Sequence, residues 1–269
     1  MSGLSKNEKL KNRPIGFMDS GVGGLSVLRE AVRILPNEDF IYFGDSLHAP
    51  FGTKSKEEVR KLTIDATKKF MDAGAKGVTI ACNTATSAAV RVLREMYPDF
   101  PIVGIEPALK PAATEFPGKR ILVLATPMTI AEEKFHLLLS KYENDAEVIP
   151  LPAPGLMEFV ENGETESEEL KSFLEELLSP YKEGEEKEVS GVVLGCTHYP
   201  FVAKQIGNVL GKNVKIFDGA EGTAREMRRR LDVAGLLRKD ENYKGTVVFK
   251  NSIEDEKKIQ MMENLFRLP

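Results

Sequence analysis

Cys82 and Cys196 are the only cysteines in this 269-residue chain, and both stand in the same kind of place. Each follows a short apolar run, Val78 to Ala81 for one and Val192 to Leu194 for the other, and each precedes hydroxyl or amide residues that open a helical stretch. Open α/β sheets bind ligands at the carboxyl ends of their strands, so both thiols are expected at that edge. A helix N-terminus offers free N–H groups and a partial positive charge. It favours thiolate over thiol and can hold a carboxylate. His198, one of three histidines with His48 and His136, lies two residues beyond Cys196 and is suited to trade a proton with it or to hold a substrate group. Two such thiols suit inversion of a stereocentre. One thiolate removes a proton from a tetrahedral carbon while the other, as thiol, delivers a proton to the opposite face, without a cofactor. A fixed electrostatic environment must then stabilise the developing carbanion.

A second motif, Asp19-Ser20-Gly21-Val22-Gly23-Gly24-Leu25-Ser26, follows the first apolar run. It approaches a dinucleotide fingerprint but has Ser26 at the third glycine position, and a lone near-match is weak. A tight strand-to-helix turn presenting Asp19 and Ser20 at the sheet edge is the better physical reading. Asp19 is then placed to meet an ammonium group or, more simply, to cap the following helix. Walker A, H-E-x-x-H, C-x-x-C and G-x-S-x-G patterns are absent. Cys82, Cys196 and His198 lack the clustered spacing of a metal site, so no metal is expected. A thiol hydrolase built on Cys196 and His198 leaves Cys82 unexplained. A protein that binds an acidic ligand or a partner without turnover is a further alternative.

The elements that must position these residues alternate. Apolar runs, most of four to six residues, at Ile15, Phe40, Val78, Ile102, Ile121, Glu147, Val192, Val214 and Thr246 suit strands of parallel sheets buried on both faces. Amphipathic stretches lie between them. Ser55 and Glu58 form a capping box ahead of Val59, Leu62, Ala66 and Phe70, with Gly74 as the stop. Residues 168–178 carry leucines and Phe173 on one face. Pro200 is expected in the first turn of a helix continuing through Val202, Ile206, Val209 and Leu210. This density of alternation predicts an α/β fold with mainly parallel sheets. The Cys82 and Cys196 segments echo one another faintly, as a duplicated unit would.

Composition sets the outer limits. The net charge of -4 and pI near 5.7 give no general basic footprint, so no nucleic-acid partner is expected. The run Arg228-Arg229-Arg230 reads as a solvated helix face. No apolar run approaches the ~20 residues of a membrane span. Residues 1–13 are polar and lysine-rich without the apolar core of a secretory signal, and read as a short mobile tail. A cytoplasmic location is expected. Two cysteines in a chain of this length exclude a disulfide scaffold.

Taken together, Asp19-Ser20-Gly21-Val22-Gly23-Gly24-Leu25, Tyr42-Phe43-Gly44-Asp45, Pro50-Phe51-Gly52, Ala81-Cys82-Asn83-Thr84-Ala85 and Gly195-Cys196-Thr197-His198-Tyr199-Pro200 resemble the glutamate racemases of the cofactor-independent aspartate/glutamate racemase family. The segments keep the family's order and approximate spacing and span nearly the whole chain. The resemblance implies two pseudo-symmetric α/β domains facing each other, residues 1–105 with 217–269 and residues 106–216, and an active site in the cleft between them. It implies that L- and D-glutamate are interconverted to supply peptidoglycan synthesis, Cys82 acting on D-glutamate and Cys196 on L-glutamate, with Asp19 and His198 assisting. Asp19, Ser20, Asn83, Thr84, Thr126, Thr129, Thr197, His198 and the backbone at Phe51 and Gly52 would hold the substrate. Glu161 falls where the family carries a further acidic residue. No cofactor and a homodimer are implied. The chain departs from the family at Phe51, where tyrosine is usual, and at Ala153, where cysteine is common. Glutamate and aspartate differ by one methylene, so these motifs leave an aspartate or other amino-acid racemase open.

Overall fold

The nine apolar runs form the strands of two parallel sheets in the computed structural model, which describes residues 6–268. Residues 1–5 of the polar N-terminal stretch lie outside the described residues. Within the stretch read as a mobile tail, Lys6–Lys11 (α1) is helical, and the buried Lys76 ammonium donates to the Lys11 carbonyl and so pins its end.

Contacts divide the chain into two units, residues 1–105 with 220–269 and residues 106–219. The first unit begins with β1 (Ile15–Asp19), α2 (Leu25–Ile34), β2 (Phe40–Gly44), α3 (Lys56–Asp72), β3 (Gly77–Ile80), α4 (Asn83–Met96) and β4 (Ile102–Gly104). The second unit contains α5 (Leu109–Glu115), β5 (Arg120–Ala125), α6 (Pro127–Ala131), α7 (Glu133–Ser140), β6 (Glu147–Pro152), α8 (Leu156–Glu161), α9 (Glu168–Leu178), β7 (Gly191–Leu194), α10 (Ala203–Leu210) and β8 (Lys215–Asp218). The chain then returns to the first unit through α11 (Ala220–Val233), β9 (Val247–Asn251) and α12 (Glu256–Arg267).

Strand order repeats between the units. The first sheet runs β4-β3-β1-β2-β9 and the second β6-β5-β7-β8, all pairs parallel. With β9 set aside, both have the order second, first, third, fourth. Central strands β1, β3, β5 and β7 are buried almost throughout, and this is why their sequences are apolar without alternation. The edge strand β6 carries Pro150 and Pro152, where the missing N–H faces no neighbour. The Ser55 hydroxyl accepts the Glu58 N–H at 3.2 Å, so the expected cap forms. Arg229 and Arg230 of the basic run both reach Glu226, whose carboxyl is lowered to about 2, chiefly by the Arg229 hydrogen bond. Among the described residues no helix is long and apolar enough to cross a membrane.

One local expectation changes. Pro200 does not open an α-helix: it sits in a 3-10 turn, Tyr199–Val202, and α10 starts only at Ala203. Proline's missing N–H and fixed φ fit the first turn of either helix type, so its spacing alone does not separate them.

Candidate active site

The same backbone register sets up both cysteines. In the first unit Met18 of β1 pairs with Ile80 of β3, and the Ala81 N–H donates to the Met18 carbonyl at 2.8 Å. In the second unit Leu124 of β5 pairs with Leu194 of β7, and the Gly195 N–H donates to the Leu124 carbonyl at 2.7 Å. Cys82 and Cys196 each come two residues after the paired strand residue. Both lie where the chain leaves the third strand, beside the first. Strand order reverses direction between first and third strands, and this switch point is where open sheets leave a crevice.

In the first unit Cys82 is the N-cap residue of α4 and is 7% exposed, so its thiol sits at the positive end of a fourteen-residue helix. Asn83 and Thr84 follow in the first turn, both buried. The Asn83 Oδ1 is buried without a hydrogen-bond partner. Asp19 ends the neighbouring strand and is fully buried. It does not cap α2, whose N-cap is Gly24; its Oδ2 accepts the Gly21 N–H at 2.9 Å and fixes the glycine turn. Gly24 is obligatory for close packing here, because a β-carbon would lie 2.7 Å from the Asp19 Cβ and 2.9 Å from the Ala81 Cβ. Ser20 is buried in the same turn. The Phe51–Thr53 turn packs on α4, and the Phe51 ring joins Met18 and Cys82 in one core cluster. Phe51 is 1% exposed, and Gly52 beside it is half-buried.

In the second unit Cys196 lacks an α-helix at its back, because only the 3-10 turn follows. A side-chain relay stands there instead. The Cys196 Sγ lies 3.6 Å from His198 Nδ1, and His198 Nε2 lies 2.8 Å from Glu161 Oε1. Burial alone would lower the His198 pKa, but hydrogen bonds with Cys196 and Glu161 outweigh it and hold the imidazole well above its ordinary value of 6.5. A protonated ring donates from both nitrogens, one to sulfur and one to carboxylate. Tyr199 is pushed up by burial and by the charges of Cys196 and Glu158, and its hydroxyl donates to the Ala153 carbonyl at 3.2 Å. Thr197 is buried beside the cysteine. Thr126, the residue after β5, caps α6: its Oγ1 accepts the Thr129 N–H at 3.2 Å and lies 2.9 Å from the Thr129 Oγ1. The two hydroxyls thus form a pair at the end of the strand next to Cys196.

The family model for Asp/Glu/hydantoin racemases matches residues 15–227, which contain both cysteine segments. The chain belongs to the Asp/Glu/hydantoin racemase family. Within it, the chain is 52% identical over 246 residues to the glutamate racemase of Clostridium novyi, covering 91% of this chain and 93% of that one. It is 49% identical over 261 residues to the glutamate racemase of Clostridium perfringens, covering 97% and 99%. The crystal structure of glutamate racemase from Francisella tularensis in complex with D-glutamate superposes with a TM-score of 0.80 at 28% identity, covering 96% of this chain and 95% of that chain. The racemase family makes this chain an amino-acid isomerase.

This racemase gathers Asp19, Ser20, Cys82, Asn83 and Thr84 at one sheet edge, and Thr126, Thr129, Cys196, Thr197 and His198 at the other. Glu161 is the residue whose weight the motifs understate. It ends α8, thirty-seven positions before His198, and no local spacing ties the two. Only its likeness to the family's extra acidic position singled it out.

Proposed function

We propose that this racemase interconverts L- and D-glutamate by two-base proton transfer, with each unit supplying one thiol to one face of the α-carbon. Support comes chiefly from a single observation: the equivalent third strand of each unit ends in a buried cysteine at the same register. The proposal covers the substrate class, both roles and the cleft site, and it is drawn in part from the relatives' glutamate activity.

In the L-to-D direction the Cys196 thiolate takes the α-proton, forming S–H and leaving the electron pair on carbon. The Cys82 thiol gives its proton to the opposite face, leaving a thiolate and D-glutamate. The enzyme is then charged for the reverse direction, with Cys82 as base, and returns by proton exchange with water. Protonated His198, steadied by Glu161, stabilises the Cys196 thiolate, and the α4 N-terminus stabilises that of Cys82. Asp19 assists at Cys82 through its hold on the glycine turn beside it. Ser20, Asn83, Thr84, Thr126, Thr129, Thr197 and the backbone of Phe51 and Gly52 hold the substrate's ammonium and carboxylates. This reading calls for no added cofactor or metal. It includes a cytoplasmic homodimer whose D-glutamate serves peptidoglycan synthesis.

The test is α-proton exchange in deuterated water with circular dichroism on the same sample, using L-glutamate and then L-aspartate without pyridoxal phosphate. Exchange with loss of ellipticity is expected for glutamate. One methylene is worth only about 1–3 kcal/mol in a pocket, so a ratio of about 10–200 over aspartate is the ceiling expected. Absence of exchange with either amino acid would overturn the racemisation reading in favour of a binding role.

A further inference from the structure

The segment between β2 and α3, residues 45–54, carries Phe51 and Gly52 and has few anchors of its own. Its first 3-10 turn, Ser46–His48, buries no residue, and its second, Phe51–Thr53, buries only Phe51. Its internal hydrogen bonds join only near neighbours, such as His48 Nδ1 with Asp45 Oδ1 at 2.8 Å and Lys54 N–H to the Phe51 carbonyl at 3.3 Å. Phe51 anchors its second turn in the core, and its first turn is tied to the far end of the chain. Asn251, the last residue of β9, donates from Nδ2 to the Ser46 hydroxyl at 2.9 Å. The Asn251 Oδ1 accepts the Ile253 N–H at 2.9 Å, and this sets the orientation of the amide. Ser252 completes the clamp: its hydroxyl accepts the Leu47 N–H at 2.8 Å and its own N–H donates to the Gly44 carbonyl at 2.9 Å.

Gly44 makes this geometry possible. A β-carbon there would collide with the Gly21 carbonyl oxygen and lie 3.0 Å from Asn251 Nδ2. The next residue, Asp45, donates its N–H to the Asp19 carbonyl at 3.0 Å. One backbone junction therefore joins the Asp19 turn, the Phe51 segment and the end of β9. Asn251 and Ser252 lie beyond residues 15–227, the span shared with the family model.

We propose that Asn251 and Ser252 are positioning residues for substrate binding. They hold the Ser46–Thr53 segment so that Phe51 and Gly52 keep their place on α4 beside Cys82. Neither residue touches the reacting atoms in this scheme. The proposal rests on the glutamate reading for its kinetic arm only.

The experiment uses the full chain with Ser46→Ala, Ser252→Ala, Asn251→Ala and the Ser46→Ala/Asn251→Ala double variant. Ser46 is half-exposed, so its variant tests the tether even where Asn251→Ala fails to fold. A hydrogen bond of ~1 kcal/mol corresponds to a change of about fivefold. Amide hydrogen exchange across residues 47–54 is expected to quicken by about that factor in each single variant, with β5 and β7 unchanged. KM for glutamate is expected to rise by a similar factor while kcat stays within about twofold. The double variant should be no worse than Asn251→Ala, because Ser46→Ala removes a bond that Asn251→Ala has already removed. Unchanged exchange in Ser46→Ala and Ser252→Ala would overturn the tether, and quicker exchange with unchanged KM would overturn the positioning role. A wild-type protein inert toward glutamate would remove the substrate reading while the exchange arm still decides the tether.

Discussion

The two cysteine sites share a strand order and a register but differ in what surrounds the sulfur. Cys82 stands at the N-cap of a full α-helix, with Asp19 buried on the adjacent strand end. Cys196 has a short 3-10 turn behind it and a histidine–glutamate relay at its side. The comparison teaches that one backbone device can be completed in two ways. A helix terminus supplies a fixed partial charge that does not titrate. An imidazole supplies a full charge that depends on pH and on its carboxylate partner. In the proposed scheme each thiol serves one face, and the two faces need not be built alike.

Removing either thiol breaks the comparison most severely. Cys82→Ser and Cys196→Ser are each expected to lower racemisation by about 10³-fold, within the range for a positioned acid or base. Thermal melting of each variant should stay near that of the parent. Full activity in either variant would sink the two-base scheme.

Backbone closeness gives the next effect. Gly24→Ala drives a methyl against Asp19 and Ala81, and overpacking of this kind costs about 1–3 kcal/mol. Gly195→Ala meets the Leu124 carbonyl oxygen at 2.8 Å and the Ala125 Cβ at 3.0 Å, so a loss of the same order is expected in the second unit. Urea titration of both variants checks whether the two junctions are equally tight.

Glu161→Gln sharpens the difference between the sites. It is expected to lower kcat/KM about tenfold, the equivalent of ~1.4 kcal/mol from one charge-assisted hydrogen bond. The equilibrium constant of a racemisation is one, so kcat/KM must fall equally in both directions. The asymmetry should appear in the isotope effect instead, larger with α-deuterated L-glutamate and unchanged with the D form. The same variant reports on stability. His198 has a raised folded pKa, so its pairing contributes fully at pH below the unfolded value of about 6.5 and is lost as pH rises through the folded value. The stability gap between parent and Glu161→Gln should therefore narrow as pH is raised above about 6.5, measured by denaturant unfolding. A gap that widens would contradict a protonated His198.

The smallest effect expected is at Asn83. Its buried Oδ1 lacks a partner, and an unmet buried acceptor costs about 1–3 kcal/mol. Asn83→Ala should therefore leave stability unchanged or raise it slightly, while KM for glutamate rises several-fold. Calorimetry and initial rates on one preparation separate the two.

Much of this molecule was legible from its residues. The central strands declare themselves because burial on both faces demands uninterrupted apolar runs, as at Ile121 to Ala125 and Gly191 to Leu194. The Ser55 helix cap and the strand–cysteine–helix reading at Cys82 are local, and local rules hold there. The tertiary structure decided the rest. A proline at position 200 fits either helix type, and packing chose the 3-10 turn that leaves Cys196 to His198. Glu161 meets His198, and Asn251 meets Ser46 across 205 positions, because folding brings separate elements to one sheet edge. Sequence periodicity records which face of an element is buried. It carries no information about which distant polar group that element will meet, since hydrogen-bond partners are chosen by three-dimensional register and not by spacing along the chain.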